Sequence, residues 1–161
     1  MTSQILLTQE SAAIEAFVNL LRGHAMTTRA LSSELYEEHG LTLNDYEALL
    51  RLSRADGGMM RRVDLAQALI LTPSGVTRLL DGLERTGLVA KATCASDARV
   101  TYAALTNAGK TKLKQASRSH VASIHAFFGE RYSDEELETL ADLLARLTGE
   151  GTADGDECKP Q

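Results

Sequence analysis

The residues of this 161-residue chain best suited to selective recognition are Ser74, Gly75, Thr77 and Arg78. Hydroxyl groups and a guanidinium form hydrogen bonds with base edges, and small neighbours allow a helix to lie close to the floor of a DNA major groove. An ordinary solvated helix would also expose these positions, but it would usually carry more Lys and Glu there. The composition of this short segment therefore favours base recognition.

The flanking residues predict the helix that would position this polar face. Thr72 is suited to cap the helix N-terminus, and Pro73 follows at the first helical position, where a missing N–H has no cost. The free N–H groups at such an N-terminus also suit a phosphate. Gly87 predicts the end of the helix. The opposite face is an apolar stripe at helical spacing, formed by Val76, Leu79, Leu80 and Leu83.

The surrounding patterns predict a helix–turn–helix followed by a β-hairpin. Val63–Leu69 is typical of a short helix, Met59–Arg62 of a single strand, and Leu88–Thr93 with Val100–Leu105 of a two-stranded hairpin. Long amphipathic helices are predicted on either side, at Thr8–Glu38, from Thr42 onward, at Thr106–Phe128 and at Asp134–Leu147. The outer helices have no other large element against which to bury their apolar faces, so a symmetric partner is expected.

The predicted fold is mainly α with a small β-hairpin wing: a winged helix–turn–helix flanked by N- and C-terminal dimerisation helices. Residues 1–40 would form the N-terminal dimerisation helix and residues 41–106 the winged helix–turn–helix. Residues 107–148 would form the C-terminal dimerisation helices, and residues 149–161, rich in Gly, Asp and Glu, a disordered tail.

Charge is distributed unevenly along the chain. The net charge is −5, which alone would argue against nucleic acid, but Arg51–Thr101 carries eight basic and five acidic residues, a net charge of +3. The flanking segments together carry −8. A basic centre within an acidic protein is typical of a DNA-binding module on a scaffold that avoids DNA.

Several other classes of protein are disfavoured. No Gly-x-Ser-x-Gly turn, phosphate-binding loop or metal motif is present, so neither an enzyme, a cofactor nor a metal site is expected, and the four histidines are expected at the surface or an interface. No apolar run is long enough to span a membrane, and Met1–Glu10 does not resemble a signal peptide. With two distant cysteines, Cys94 and Cys158, these features predict a cytoplasmic location.

Three stretches, in this order, resemble the MarR family of bacterial transcription regulators. Asp64–Leu71 is similar to the family's short helix and turn, and Thr72–Val89 to its recognition helix and entry to the wing. Asp97-Ala-Arg99, followed by Tyr102–Gly109, resembles its wing motif and the strand that leads into a dimerisation helix. The resemblance extends from about Thr8 to Leu147.

The resemblance implies a homodimer, commonly a repressor, that binds an inverted-repeat operator in double-stranded DNA and is released by a small-molecule effector or an oxidant. By position, Thr72, Ser74, Gly75, Thr77 and Arg78 would meet the major groove and its phosphates. Arg99 would enter the minor groove, Asp97 would shape the wing, and Lys91, Arg61 and Arg62 would be available to phosphates. Ala92 and Ala98 stand where the family often has basic residues, so a modest salt dependence is expected.

Two further residues suggest how binding could be controlled. His24 lies on the first helix, which in the family lines a ligand cavity, although packing at an interface would equally explain it. Cys94 lies in the hairpin loop close to Lys91 and Arg99, which would favour its thiolate and suggests a redox-sensing regulator. A non-responsive architectural DNA-binding protein and a helical protein-interaction module remain alternatives.

Overall fold

The computed structural model describes residues 11–93 and 101–148, which form six α-helices and three strands. The helices are α1 (Ala12–His39), α2 (Leu43–Arg54), α3 (Arg62–Ala68), α4 (Pro73–Arg85), α5 (Asn107–Gly129) and α6 (Asp134–Thr148). The strands are β1 (Met59–Arg61), β2 (Val89–Thr93) and β3 (Thr101–Leu105). The chain divides into two compact units, residues 1–120 and residues 121–161. The predicted start of α1 at Thr8 and the predicted tail at 149–161 lie outside the described residues.

Local signals set the helix ends, as the sequence predicted. α1 ends at Gly40, which has φ +66° and donates its N–H to the Tyr36 carbonyl. α2 begins with a capping box, in which the Thr42 hydroxyl accepts from the Asp45 N–H while the Asp45 carboxylate accepts from the Thr42 N–H. The predicted capping box before α6 is also present, since Ser133 and Glu136 form the same reciprocal pair of bonds.

The sheet contains one strand more than the predicted hairpin. Its order is β1-β3-β2, with both pairs antiparallel. β2 and β3 pair from Val89↔Leu105 to Thr93↔Thr101, as expected for the two sides of a wing. β1, predicted as a single strand, pairs with the other edge of β3 at Met60↔Ala103. The central strand of the sheet is therefore the one that leads directly into α5.

Leucine side chains from several helices form the core of the first unit. The largest fully buried side chains are Leu35, Leu49, Leu52, Leu65 and Leu80. They come from α1, α2, α3 and α4, so the C-terminal end of α1 is packed into the same core as the helix–turn–helix. Each such leucine contributes about 1.5–3 kcal/mol by leaving water.

The turn between α3 and α4 has an isoleucine at the position where its backbone is left-handed. Ile70 has φ +53° and is the only described non-glycine residue with positive φ. Its N–H donates to the Gln67 carbonyl at 3.1 Å, and the Leu71 N–H donates to the Ala66 carbonyl at 2.9 Å. These two bonds define a Schellman motif, which usually has glycine at this position. An L-residue here costs about 1–2 kcal/mol.

A single threonine connects the end of α4, the sheet and α5. The Thr106 hydroxyl donates to the carbonyls of Gly87 at 2.7 Å and Leu88 at 3.0 Å, and it accepts from the Gly109 N–H at 3.0 Å. It therefore caps α5, as predicted, and also binds the turn that follows α4. Gly109 is buried, and a Cβ placed on it would lie 2.1 Å from the Leu88 carbonyl oxygen. Only glycine permits this close approach.

The outer helices expose apolar side chains. On α1, Phe17 is 60% exposed, and Ile14 and Leu21 are exposed to a similar extent. In the second unit, Leu143, Leu144 and Leu147 of α6 are also exposed, and Leu147 reaches 69%. Within the described residues, no helix is both long and apolar enough to cross a membrane.

Candidate DNA-binding interface

The N-terminus of α4 is formed as its sequence predicted. The Thr72 hydroxyl accepts a hydrogen bond from the Gly75 N–H at 3.1 Å, and Pro73 occupies the first helical position. A Cβ on Gly75 would lie 3.2 Å from the Thr72 hydroxyl oxygen, which is closer than most Cβ contacts. Glycine at position 75 therefore leaves room for the cap that begins this helix.

The polar face of α4 is exposed along its first two turns. Ser74, Thr77 and Arg78 are exposed, whereas Gly75 is half-buried. The Thr77 hydroxyl donates to the Pro73 carbonyl at 2.8 Å, so its oxygen lone pairs and its methyl group remain for an external partner. Arg78 forms no ion pair with any described residue. Its guanidinium donors are therefore available to an acceptor outside the chain, such as guanine O6 and N7.

The apolar face of α4 fixes the orientation of the polar one. Val76, Leu80 and Leu83 are buried in the core, and Leu79 packs against it half-buried. Because these residues follow the helical repeat, the helix cannot rotate about its axis without exposing them. The predicted division into a core face and an exposed polar face is confirmed.

Arg61 lies at the end of β1 and is already paired. Its Nε donates to Asp64 Oδ2 at 2.6 Å and its Nη2 donates to Oδ1 at 2.7 Å, which is a bidentate pair. The guanidinium lowers the pKa of the Asp64 carboxyl through these hydrogen bonds. Both side chains are exposed, so the pair adds little stability and leaves the Arg61 Nη1 group for a phosphate.

Arg62 occupies a different environment from the open position that the sequence suggested. Its Nη2 donates to Glu84 Oε1 at 2.5 Å, and the two side chains are 20% and 26% exposed. The Arg62 Nε is buried and has no hydrogen-bond partner in the described part of the chain. The pair joins the start of α3 to the last turns of α4, so Arg62 positions α4 through Glu84.

The wing is described only along its two strands. Lys91 lies on β2 opposite Ala103 and is exposed, which suits a phosphate contact. Asp97 and Arg99, predicted at the wing tip, lie outside the described residues, as does Cys94.

A polar cluster at the meeting of α1, α2 and α5 was missed by sequence reasoning. His39 Nε2 lies 2.7 Å from the Ser119 hydroxyl, and the Tyr46 hydroxyl lies 3.1 Å from that of Ser117. The Tyr46 ring meets the His120 ring edge-on at a centroid distance of 4.8 Å. These contacts join α1 and α2 of the first unit to the part of α5 within it.

The expectation of a surface or interface position is wrong for His120, which is 6% exposed in the isolated chain. Burial lowers the pKa of its imidazole, with a smaller lowering by His39 and an opposing contribution from Glu34. The spacing between His120 and His125 gave no sign of this burial, because His120 packs against Tyr46, which is distant in sequence. His24 is exposed on α1. In the described ranges, no three His, Cys, Asp or Glu side chains are grouped closely enough to hold a metal ion.

Comparisons with known proteins agree with this architecture. The MarR family model matches residues 39–100. The transcriptional repressor YetL of Bacillus subtilis (strain 168) is 29% identical over 143 residues, which cover 86% of this chain and 84% of YetL. Its description as a helix–turn–helix repressor is consistent with the exposed polar face of α4.

Solved structures give the same result. AbsC, a MarR family transcriptional regulator from Streptomyces coelicolor, has 30% identity and a TM-score of 0.73, with 88% of this chain and 95% of AbsC covered. Sco3205 from the same organism, solved in complex with DNA, has 24% identity, a TM-score of 0.78 and coverages of 92% and 94%. CouR from Rhodococcus jostii RHA1, bound to p-coumaroyl-CoA, has 24% identity, a TM-score of 0.72 and coverages of 86% and 95%. At 24% identity, the similarities to Sco3205 and to CouR show a shared fold and no more.

Proposed function

Because the chain belongs to the MarR family and is a DNA-binding transcription regulator rather than an enzyme, we propose that it is a homodimeric repressor released from an inverted-repeat operator by a small-molecule effector. α4 is the recognition helix of this proposal. The observation that carries it is the exposed polar face of α4 at Ser74, Thr77 and Arg78, opposite a buried apolar stripe. The similarity to the repressor YetL supports the direction of regulation.

A matched pair of arginine variants tests the recognition helix. Arg78 and Arg85 lie on the same helix, and both are exposed, but Arg85 lies in its last turn. We expect Arg78→Ala to weaken binding to a duplex from upstream of the chain's own gene by about tenfold or more, and to relax base preference. Arg85→Ala removes the same charge and should change affinity by less than about threefold. Equal affinities of wild type and Arg78→Ala would overturn the assignment of α4.

The dimer is supported by the apolar side chains exposed on α1. Ile14, Phe17 and Leu21 follow the helical repeat at spacings of three and four residues, so they form one exposed stripe. A second copy of the chain would bury this stripe. Sedimentation should show a dimer for wild type and monomers for the double variant Phe17→Glu, Leu21→Glu. Asn19→Glu adds charge at an exposed polar position of α1 and should remain dimeric. A monomeric wild type would refute the dimer.

Release by a small molecule is supported by two observations. CouR has this fold and is bound to p-coumaroyl-CoA, so the fold accommodates an aromatic acyl thioester. In this chain, the polar cluster of His39, Tyr46 and His120 connects α1 to the helices of the DNA-binding region. A ligand that separates these helices would alter the position of that region. His24, exposed on α1, is the ligand contact that the sequence suggests.

Titration of the operator complex tests this step. Phenolic compounds, their coenzyme A thioesters and hydrogen peroxide would each be added to wild-type complex and to the His24→Ala and Cys94→Ser variants. Release by a phenolic ligand that is weakened in His24→Ala supports the proposed effector site. Release by peroxide that is lost in Cys94→Ser would support the redox alternative instead. Saturable, specific binding that none of them reverses would favour an architectural DNA-binding protein.

A further inference from the structure

The turn that precedes α4 contains an apolar side chain that is not buried in the core. Ile70 is 94% exposed, so its apolar side chain gains almost nothing from packing within the chain. Its backbone is held at φ +53° by the two Schellman hydrogen bonds. A β-branched residue in this region is a genuine outlier, and glycine would satisfy the same bonds without strain.

The position of Ile70 places it beside the proposed recognition face. It lies two residues before the cap Thr72, so its Cα is within about 7 Å of the Thr72 Cα. Ile70 therefore lies near the N-terminus of α4, where Ser74 is also exposed. Residues with a strained backbone tend to occur at functional positions. An exposed apolar side chain at such a place suits an apolar partner.

We infer that Ile70 is a contact to apolar carbon atoms of DNA, a thymine C5-methyl group or a deoxyribose, at the edge of the site that α4 occupies. This inference rests on the proposed function, because it requires α4 to bind DNA. The left-handed backbone turns the chain between α3 and α4, and the side chain at that turn reaches outward from the protein. Contact with DNA removes its exposed methyl groups from water, which offsets the strain only in the complex.

The first experiment compares stability and affinity in the same variants. Ile70→Gly relieves the backbone strain and removes the side chain, whereas Ile70→Ala removes most of the side chain and keeps the strain. We expect Ile70→Gly to raise Tm by about 2–4 °C. We expect both variants to bind more weakly to a duplex selected by wild-type protein from a random-sequence pool. The loss is about fourfold for each methyl-sized contact, or about fifteenfold for a dimer with two such contacts.

The second experiment distinguishes the two sources of apolar carbon. Each thymine of the selected duplex is replaced in turn by deoxyuridine, which lacks the C5-methyl group. If Ile70 contacts thymine, one replacement in each half-site weakens wild type about fourfold and has no effect on Ile70→Gly. If Ile70 contacts deoxyribose, no replacement distinguishes the two proteins, although Ile70→Gly still binds more weakly. Met59→Ala, at an exposed apolar side chain on β1, is the control and should bind as wild type does.

Three results would overturn the inference. The first is unchanged affinity of Ile70→Gly for the selected duplex. The second is a fall in both Tm and affinity, since loss of folded protein would then explain both. The third is a monomeric Ile70→Gly, which would assign the side chain to a subunit contact. Failure of the proposed function is distinct, because wild type would then select no sequence while Ile70→Gly would still raise Tm.

Discussion

Replacing Gly109 by alanine should destabilise the protein strongly, although alanine is usually the better residue in a helix. Gly109 lies in the first turn of α5, where it is buried against the turn that follows α4. An added Cβ would lie 2.1 Å from the Leu88 carbonyl oxygen and 2.7 Å from Leu105 Cδ1. Ordinary Cβ contacts begin near 3.4 Å. The backbone of α5 or of Leu88 must therefore move by about 1 Å.

The magnitude follows from the contacts that this movement disturbs. Forcing an additional methyl group into a packed site costs about 1–3 kcal/mol. The Leu88 carbonyl also accepts hydrogen bonds from the Thr106 hydroxyl at 3.0 Å and from the Thr106 N–H at 3.2 Å. Each such bond contributes about 0.5–1.5 kcal/mol. After the higher helix propensity of alanine is subtracted, the net loss is about 3 kcal/mol, or a fall of about 10 °C in Tm.

Gly82→Ala provides a matched control of opposite sign. Gly82 lies inside α4, and a Cβ added there meets no atom within 4 Å. This variant should gain about 0.5–1 kcal/mol from helix propensity alone. Urea unfolding followed by circular dichroism at 222 nm measures both free energies. A Gly109→Ala protein within 1 kcal/mol of wild type would refute the reasoning about the α4–α5 contact.

The remaining predictions concern one ion pair, one histidine and the wing. Glu84→Gln should lower the free energy of unfolding by about 1–2 kcal/mol in urea denaturation, because Arg62 keeps its half-buried charge without a charged partner. Burial lowers the pKa of the His120 imidazole below its ordinary value of 6.5. The unfolded chain therefore binds this proton at a higher pH than the folded protein does. The stability linked to neutral His120 is complete above pH 6.5 and is lost as the pH falls from 6.5 through the lowered pKa. The wild-type free energy of unfolding should therefore fall more steeply between pH 7 and pH 5 than that of His120→Gln. Arg99→Ala should weaken operator binding in an anisotropy titration at moderate salt, because the contact proposed between its guanidinium and a narrow minor groove would be lost.

Each of these predictions has a control in the same chain. Glu47→Gln breaks an exposed pair with Arg51 and should cost less than about 0.5 kcal/mol, so equal losses for Glu47→Gln and Glu84→Gln would contradict the role of burial. His125→Gln removes an exposed histidine from α5. Its free energy of unfolding should fall with pH as steeply as that of wild type, whereas that of His120→Gln should fall less steeply. Lys114→Ala, on α5, should bind operator as wild type does. The wing assignment fails if Arg99→Ala binds equally well.

Sequence alone predicted the features that depend on near neighbours. The caps at Thr42, Thr72 and Ser133 each involve residues three positions apart, so their chemistry is visible in the chain. The buried stripe of α4 follows from the helical repeat, and the hairpin strands from their β-branched and apolar residues. These local signals were sufficient for the fold class and for the polar face of the candidate site.

Two of the three features that were missed depend on residues distant in sequence. Arg62 is paired because α3 and α4 bring Glu84, 22 residues later, beside it. His120 packs against Tyr46 of α2, and nothing in the sequence near His120 indicates this contact. Ile70 occupies a position at which the sequence would favour glycine or asparagine, so its strained backbone had no local signal. Tertiary contacts decided the first two, whereas the turn at Ile70 is held by local hydrogen bonds to the carbonyls of Gln67 and Ala66.

The connection made by Thr106 has a consequence for how a signal could travel. Its hydroxyl joins the turn after α4 to the start of α5, and its backbone continues the central strand of the sheet. We therefore expect α4, the wing strands β2 and β3 and the start of α5 to move together as one body. In the proposed dimer, an effector that acts through α5 would change the spacing between two such bodies and would not reshape either surface. We expect effector to lower affinity for every operator variant by the same factor and to leave the order of base preferences unchanged.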